Sequence, residues 1–329
     1  MTQASIYDDI AKFALDQYGL GQEQPSFLGH SESVTFRIQT QEEKFLLRIH
    51  QPISNTNDDV WQKPEVIESE LLWLDALHYD TKLVVQKPIR NLQNRWITQV
   101  AGDRTTETFY CSLLHWVEGE ILQSERTLQQ AHQLGVLMAQ LHQHSQQWDT
   151  PQNFSRPTYD RNRFNASLAK LYPAISQELI SAENYAVLES AVNQVLEMME
   201  SLDHNQEVWG LIHADLHDGN YLSHGDEFRP IDFARCGFGY YLYDVASTLQ
   251  YLSPAVRASF FEGYQTSQKL PENYIRIVEG FFIMAIIDVL SFHVSNPQEQ
   301  QGVSDTVKDI SKEHIPCYLR DESFLFDKY

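Results

Sequence analysis

The chain has 329 residues, of which 42% are hydrophobic and 12% aromatic, and its formal net charge is −21. This length and composition are sufficient for more than one hydrophobic core, which favours two packed lobes. The negative charge argues against nucleic acid and anionic membranes as partners, and it is compatible with a cationic substrate.

Targeting signals and cysteine content bear on the compartment. The N-terminal segment MTQASIYDDI lacks the apolar stretch of a secretory signal, and the longest apolar run, residues 280–287, is too short to cross a bilayer. Cys111, Cys236 and Cys317 are too few and too widely spaced for a disulfide framework or a zinc site. We therefore expect a soluble, cytoplasmic protein without a membrane partner, and the oligomeric state stays open.

The first third of the chain has the pattern of a sheet accompanied by two helices. Apolar residues recur every three or four positions over residues 6–18 and 64–77, which predicts helices there. Short apolar or alternating runs predict a mostly antiparallel sheet. The predicted strands are 27–28, 34–38, 44–49, 83–86, 96–100 and 109–114.

The rest of the chain has mainly helical patterns. Residues 148–159, rich in proline and polar side chains, predict a loop, and the residues after 293 are expected to form a polar tail. The predicted helices are 127–144, 181–202, 241–252, 254–264 and 272–293.

Residues 211–232 concentrate the polar groups that suggest chemistry. His213 and Asp215 follow an apolar strand, Asn220 comes five positions after Asp215, and Asp232 follows a predicted hairpin. Phosphoryl transfer needs one carboxylate at the attacking hydroxyl and oxygen ligands for the metal ion that bridges the phosphates. The hairpin is expected to bring Asp232 beside Asn220, so the spacing indicates a kinase.

The runs HADLHDGN and IDFAR resemble motifs of the aminoglycoside phosphotransferase, choline kinase and homoserine kinase group, a branch of the protein-kinase-like fold. The resemblance implies an α+β fold with a small antiparallel-sheet N-lobe, residues 1–118, and a larger, mainly helical C-lobe, residues 119–329. It implies ATP and Mg²⁺ as cofactors, Asp215 as the catalytic residue, and Asn220 and Asp232 as metal ligands.

The same resemblance assigns residues of the N-lobe to the nucleotide. The segment 29–33, with Ser31, is expected over the phosphates, and the backbone of Trp116 and Val117 is expected at the adenine edge. Arg48 occupies the strand position of the phosphate-binding cation, with Lys44 as the alternative. Arginine is suited to this role because it stays charged and can bind two phosphate oxygens. Glu70 is expected to pair with Arg48.

Only a few residues can be suggested as contacts of the substrate. Asp288 lies in the apolar run FFIMAIIDVLSF, where an acid is expected to be paired, neutral or in a functional cleft. It is therefore a candidate for recognising a substrate amine, and an exposed, solvated position is the alternative. His217 is a candidate for contact with substrate or phosphate, with a structural role as its alternative. Asp244 is expected to cap a helix and brace the loop around Asp215.

These observations predict transfer of the γ-phosphoryl group of ATP to a hydroxyl of a small molecule such as an amino alcohol or amino sugar. The residue after Asp232-Phe233 is alanine rather than glycine, and both an Ala-Pro-Glu motif and a glycine-rich G-x-G-x-x-G loop are absent. These departures favour a small-molecule acceptor. The alternatives are a stress-response-type Ser/Thr protein kinase, a non-catalytic ATP-binding regulator, and an α+β protein that matches by chance.

Overall fold

The computed structural model describes residues 3–51, 59–101 and 108–326, so Met1 and Thr2 of the N-terminal segment discussed above lie outside the described part. The chain divides into two compact units. Unit 1 contains the described residues up to Glu120, then Asp149–Pro157 and Arg229–Ala234, and unit 2 contains Ile121–Trp148, Thr158–Phe228 and the described residues from Arg235 onward. The lobes 1–118 and 119–329 stay a prediction.

Unit 1 contains an antiparallel sheet. Its strands have the order β1-β2-β3-β6-β4, and β5 also pairs with β6. The elements are α1 (Gln3–Gln17), β1 (Ser26–His30), β2 (Val34–Gln39), β3 (Lys44–Ile49), α2 (Pro64–Asp80), β4 (Pro88–Ile89), β5 (Ile97–Ala101) and β6 (Thr108–His115). The predicted strand 83–86 is wrong, because these residues form no strand and pairing begins only at Pro88.

Alternation along β3 separates the core from the candidate site. Phe45, Leu47 and Ile49 are buried in one hydrophobic cluster with residues of α1 and the neighbouring strands. Since successive side chains of a strand point to opposite faces, Arg48 faces away from that cluster. It lies opposite Thr35 on β2 and Ser112 on β6. Burial of the apolar face therefore fixes which way the guanidinium points.

Unit 2 is mainly helical, which together with the sheet of unit 1 confirms the predicted α+β class. Among the described residues, no helix is long and apolar enough to cross a membrane. The elements that follow β6 are α3 (Leu128–Gln147), α4 (Arg161–Leu171), α5 (Pro173–Ser176), α6 (Ala182–Ser201), β7 (Trp209–Ile212), β8 (Tyr221–His224), β9 (Glu227–Pro230), β10 (Gly237–Tyr240), α7 (Tyr241–Leu249), α8 (Pro254–Tyr264), α9 (Tyr274–His293), α10 (Gln300–Lys312) and α11 (His314–Leu319).

Two glycines allow α3 and α8 to pack closely. A Cβ on Gly135 would lie 2.0 Å from the carbonyl oxygen of Phe260, and one on Gly263 would lie 1.9 Å from that of His132. Any side chain at either position would force the helices apart. Helix α3 also carries His142, whose imidazole contacts Asp244. Close packing of α3 against α8 therefore stabilises the part of unit 2 that contains this contact.

The region after α9 differs from the predicted polar tail. Val303, Val307 and Ile310 are buried at the i, i+4 and i+7 positions of α10, the spacing of an amphipathic helix. The short helix α11 follows it. The tail prediction was wrong because many polar residues mask this stripe. Helices α4 and α5 were likewise missed, and Asp160 caps α4 by accepting a hydrogen bond from the Arg163 backbone N–H.

His50, beside Arg48 in unit 1, should make folding sensitive to acid. Burial, reinforced by the charges of Arg48 and Arg156, lowers the pKa of its imidazole well below the ordinary value. As pH falls below about 6.5, the unfolded chain binds a proton that the folded chain excludes, so stability falls. We expect His50→Gln to lose about 1–2 kcal/mol less stability than the wild type between pH 7 and about pH 5.

Urea unfolding midpoints at the two pH values measure this difference. The control is His224→Gln, which replaces an exposed histidine and should follow the wild-type pH dependence. Identical pH dependence in all three proteins would contradict the assignment to His50.

Candidate active site

The loop between β7 and β8 is held through its backbone. The N–H of His213 donates to Oδ2 of Asp244 at 2.9 Å, and the N–H of Ala214 donates to Oδ1 at 2.7 Å. Ala214 has a φ of 64°, a conformation that costs a non-glycine residue free energy. The two hydrogen bonds to one buried carboxylate offset that cost. They also fix the backbone immediately before Asp215.

Asp215 and Asn220 lie side by side in this loop. The side-chain N–H of Asn220 donates to the backbone oxygen of Asp215 at 2.9 Å and to its Oδ2 at 3.0 Å. The Asp215 side chain is 33% exposed. The amide of Asn220 therefore orients a carboxylate that solvent, or a substrate, can reach. The side-chain carbonyl oxygen of Asn220 takes no part in these two hydrogen bonds.

His217 lies next to this carboxylate. Its Nδ1 accepts a hydrogen bond from the Gly219 N–H at 3.0 Å, so the neutral imidazole carries its proton on Nε2. Nε2 lies 3.9 Å from Oδ2 of Asp215. A Cβ at Gly219 would lie 2.8 Å from Cε1 of His217, so a larger residue there would displace the imidazole. The role of His217 toward a substrate stays a prediction.

Asp244 connects the loop to the helices of unit 2. Its Oδ2 lies 3.0 Å from Nε2 of His142, whose Nδ1 lies 2.9 Å from the Tyr264 hydroxyl. The carboxylate, the imidazole and the hydroxyl are all buried. Asp244 thus braces the loop as expected from the sequence, but the expected helix cap is wrong, because the N-cap position of α7 is Tyr240 and Asp244 lies inside the helix. His142 and Tyr264 are partners that sequence reasoning did not identify.

Asp244→Asn should weaken both folding and catalysis. An amide cannot accept all three hydrogen bonds, so buried donors lose partners, and we expect a loss of about 2–3 kcal/mol in stability. The matched control is Glu279→Gln, a buried acid of unit 2 that binds the N–H groups of Phe324 and Leu325. Both variants should unfold at lower denaturant, but only Asp244→Asn should lower the kcat of the folded fraction. Equal kcat values would refute the bracing role.

A second group of predicted residues lies in unit 1. Nη2 of Arg48 donates to Oε1 of Glu70 at 2.6 Å, and both side chains are buried. Nη1 of Arg48 lies 3.8 Å from Oδ1 of Asp232. Glu70 thus orients the guanidinium of Arg48 on β3, and the carboxylate of Asp232 lies near the same guanidinium. The binding of nucleotide phosphates by Arg48 stays a prediction.

Asp232 has an unusual backbone that several contacts hold. Its φ is 58°, and its N–H donates to Oε1 of the buried Gln86 at 3.0 Å. Arg156 binds the carbonyl oxygen of Ala234 at 2.6 Å and that of Val66, on α2, at 2.9 Å. The carboxylate itself is 54% exposed. Gln86 and Arg156 were not identified from the sequence, because both act on residues far away along the chain.

The donor set can be tested against magnesium. Among the described residues, no group of three or more His, Cys, Asp or Glu side chains is arranged to hold a metal ion. Asn220 and Asp232 nevertheless supply an amide and a carboxylate oxygen, which are hard ligands of the type Mg²⁺ accepts together with water and phosphate oxygens. The exposure of Asp232 lets a hydrated cation approach it. The residues therefore fit magnesium by donor type.

The remaining nucleotide-side candidates occupy loop positions. Ser31 is exposed in the turn between β1 and β2, and its N–H donates to the carbonyl oxygen of Ser33 at 3.2 Å. The N–H of Trp116 donates to the carbonyl oxygen of Lys44, and Val117 is buried. Lys44 pairs with Glu118 at 2.6 Å on the surface. The contacts of Ser31, Trp116 and Val117 with a nucleotide stay predictions.

Asp288 is paired within unit 2. Its Oδ2 accepts a hydrogen bond from Arg163 at 2.8 Å, its Oδ1 accepts one from Ser167 at 2.6 Å, and Arg235 lies 4.0 Å away. Burial alone would raise the pKa of this carboxyl, but the charges of Arg163 and Arg235 outweigh it and hold the pKa below its ordinary value. The predicted recognition of a substrate amine is untested, and this geometry does not favour it.

Another charged group supports the loop that carries Asn220. Arg126 is buried, its Nε donates to the Tyr221 hydroxyl at 2.7 Å, and its Nη2 lies 2.8 Å from Asp218. The Tyr221 hydroxyl donates to the same Asp218 oxygen at 2.7 Å. Asp218 and Tyr221 lie on either side of Asn220 in the sequence, so their contacts with Arg126 hold this part of the loop. The sequence offered no signal for Arg126, because 95 residues separate it from Tyr221.

Comparisons with known proteins identify the family of the chain. The model of a family described as "Phosphotransferase enzyme family" matches residues 26–276. Amicoumacin kinase of Bacillus subtilis is 22% identical over 290 residues, covering 83% of this chain and 81% of its own. An uncharacterized protein of Synechocystis sp. is 24% identical over 241 residues, covering 71% of this chain but only 63% of that protein.

A solved structure gives the same result for the fold. The microcompartment-associated aminopropanol kinase superposes with a TM-score of 0.77 at 25% sequence identity, covering 96% of this chain and 99% of its own. These comparisons confirm the protein-kinase-like fold and the resemblance read from residues 213–235.

Proposed function

We propose, from the premise that the chain belongs to the phosphotransferase enzyme family and is a kinase, that it transfers the γ-phosphoryl group of ATP to a hydroxyl of a small molecule. The observation that carries the proposal is the pair of Asp215 and Asn220, in which an amide orients a partly exposed carboxylate on a braced loop. A carboxylate held in this way is suited to accept a proton from an attacking hydroxyl.

The chemical step is a displacement at phosphorus. The acceptor oxygen forms a bond to the γ-phosphorus, and the bond between that phosphorus and the bridging oxygen of ADP breaks. The hydroxyl proton passes to the Asp215 carboxylate. Because the carboxylate is held by Asn220 before the acceptor arrives, little reorganisation is needed during the step.

Arg48 and Glu70 are proposed to act on the nucleotide. Arg48 carries a permanent charge, and its pairing with Glu70 at 2.6 Å fixes the orientation of its planar guanidinium. An oriented arginine can bind phosphate oxygens in the forked geometry that a lysine lacks. Asn220 and Asp232 would hold Mg²⁺, which, when bound, would neutralise the charge of the β- and γ-phosphates.

The acceptor is proposed to be a small molecule rather than a protein. Two of the reported proteins are kinases, one of amicoumacin and one of aminopropanol, and these names support a small acceptor that carries a hydroxyl group. The predicted alternatives, a Ser/Thr protein kinase and a non-catalytic ATP-binding regulator, have no observation in their favour beyond the shared motif.

The decisive experiment measures acceptor-dependent ADP formation from MgATP. The panel contains choline, ethanolamine, homoserine, hydroxylysine, 1-amino-2-propanol, amicoumacin, an aminoglycoside and a generic protein. We expect a small-molecule acceptor to stimulate ADP formation in the wild type and not in Asp215→Asn. Transfer to the protein substrate instead would establish the protein kinase alternative. ATP binding without stimulation by any acceptor would favour the regulator, and absence of ATP binding would refute the proposal.

A further inference from the structure

Unit 2 contains a cavity of about 550 Å³ bordered by α9, α10 and the residues that follow α7. A volume of this size suits a ligand larger than a two- or three-carbon alcohol. One wall of the cavity is apolar and is formed by side chains of α9 and α10. These side chains are Phe282, Ile286, Val289, Leu290 and Val303.

The cavity adjoins the loop that carries the catalytic aspartate. Tyr251 lines it, and the centroid of the Tyr251 ring lies 5.4 Å from that of His217. His217 in turn lies 3.9 Å from Oδ2 of Asp215. Two successive side-chain contacts within unit 2, from Tyr251 to His217 and from His217 to Asp215, therefore place the cavity next to the loop that carries this carboxylate.

Few charged groups face this cavity. Among the described residues that line it, Glu299 carries the only carboxylate and Arg257 the only guanidinium. The guanidinium donates to the carbonyl oxygens of Leu252 and Leu325 and lies 5.1 Å from the centroid of the Phe282 ring. Burial lowers the pKa of the His314 imidazole, which keeps it neutral near pH 7. A ligand with several ammonium groups would lack counter-charges here.

One amide group in the lining has no hydrogen-bond partner within the described part of the chain. Gln250 contributes to the cavity wall, and its Nε2 is buried without a hydrogen-bond acceptor among the described residues. An unsatisfied buried donor costs stability, and a ligand oxygen placed opposite it would remove that cost. Glu299 is exposed at the start of α10, where a carboxylate can meet an ammonium group without a large desolvation penalty.

We propose that this cavity binds the phosphate acceptor, and that the acceptor is an alcohol with an aromatic or branched apolar body, a single ammonium group and an oxygen that faces Gln250. The inference rests on the proposed function and specifies its substrate class. The apolar wall selects against short amino alcohols, which leave it in contact with water, and the lone carboxylate selects against polycationic amino sugars.

Calorimetric binding to the full chain tests the class with matched probes. The probes are 2-amino-1-(4-hydroxyphenyl)ethanol, 1-amino-2-propanol and kanamycin. The first two share a β-amino alcohol and differ in an aromatic ring against a methyl group. Burial of the ring should lower Kd by about tenfold or more relative to 1-amino-2-propanol. Kanamycin should bind more weakly than the aryl compound.

Two variants test the cavity itself. Gln250→Leu and Glu299→Gln should each raise the Kd of the aryl amino alcohol by about fivefold. Gln250→Leu should not lower the unfolding midpoint, because it removes a donor that has no partner among the described residues. The controls lie outside the cavity lining: Ser311→Ala, whose buried hydroxyl also lacks a described partner, and Asp309→Asn, an exposed acid of α10. Neither control should change Kd.

The outcomes separate this inference from the proposed function. Equal or weaker binding of the aryl compound than of 1-amino-2-propanol overturns the substrate class. Tight binding that neither variant changes overturns the assignment to this cavity. Variant-sensitive binding without any acceptor-dependent ADP formation supports the cavity and refutes phosphoryl transfer. ADP formation with kanamycin or 1-amino-2-propanol and without aryl binding supports transfer and refutes the class.

Discussion

Asp215→Asn is expected to lower kcat by about 10²- to 10⁴-fold, the usual contribution of a positioned acid–base group, and to leave the Kd for ATP unchanged. Asparagine is nearly isosteric, and its carbonyl oxygen can still accept the hydrogen bond that Asp215 accepts from Asn220 at 3.0 Å. The variant therefore retains the loop and loses only the negative charge and basicity of the carboxylate. The loss should be in the chemical step rather than in nucleotide affinity.

Single-turnover phosphoryl transfer and ATP titration on the same protein measure the two quantities. Asp203→Asn is the control, since Asp203 is an exposed acid on the connection between α6 and β7. The control should retain wild-type rates. If Asp215→Asn retains wild-type kcat, Asp215 does not accept the proton. If both kcat and ATP affinity fall and the unfolding midpoint also falls, the substitution has disturbed the loop and Asp244→Asn becomes the informative comparison.

Much of unit 1 could be predicted because its strands have a strong local pattern. The strand 44–49 was predicted with the bounds that the structure gives to β3, since one face is apolar and packs in a buried cluster. The predicted strand 83–86 failed although Val85 and Gln86 are buried. Burial there serves another purpose, because the Gln86 side chain binds the N–H of Asp232. An apolar run alone does not distinguish the two cases.

The site residues that could be predicted are those that belong to a short motif or to a single strand. Asp215, Asn220 and Asp232 were identified by short spacing in the chain, and Arg48 by alternation along one strand. The supporting residues were missed because their contacts are distant in sequence. Arg126 and Tyr221 are 95 positions apart, and Arg156 and Ala234 are 78 apart. A single sequence has periodicity and motifs but no record of such pairs, so their roles required coordinates.

The two positive-φ residues of the site were also unpredictable from residue type. Residues other than glycine uncommonly occupy the left-handed region, yet Ala214 has a φ of 64° and Asp232 a φ of 58°. In both cases a neighbouring side chain binds the backbone N–H: Asp244 for Ala214 and Gln86 for Asp232. The unusual conformations are therefore imposed by tertiary contacts, which override local preference.

This backbone determines how the role of Asp232 should be tested. Alanine at a φ of 58° would add conformational strain to the loss of the carboxylate, so Asp232→Ala would change two properties at once. Asparagine adopts the left-handed region more readily and keeps the size of the side chain. Asp232→Asn therefore isolates the charge, and we expect it to lower MgATP-dependent turnover by about 10³-fold or more, on the scale of removing a strong electrostatic group.

The metal dependence of the remaining activity distinguishes the possible reasons for that loss. If Asp232 is a magnesium ligand, the variant should need a higher Mg²⁺ concentration for half-maximal turnover, because a neutral amide binds a divalent cation more weakly than a carboxylate does. Asp226→Asn removes an exposed acid between β8 and β9 and should leave this concentration unchanged. A turnover defect with an unchanged magnesium requirement would instead assign Asp232 to orienting Arg48, whose guanidinium lies 3.8 Å from its carboxylate.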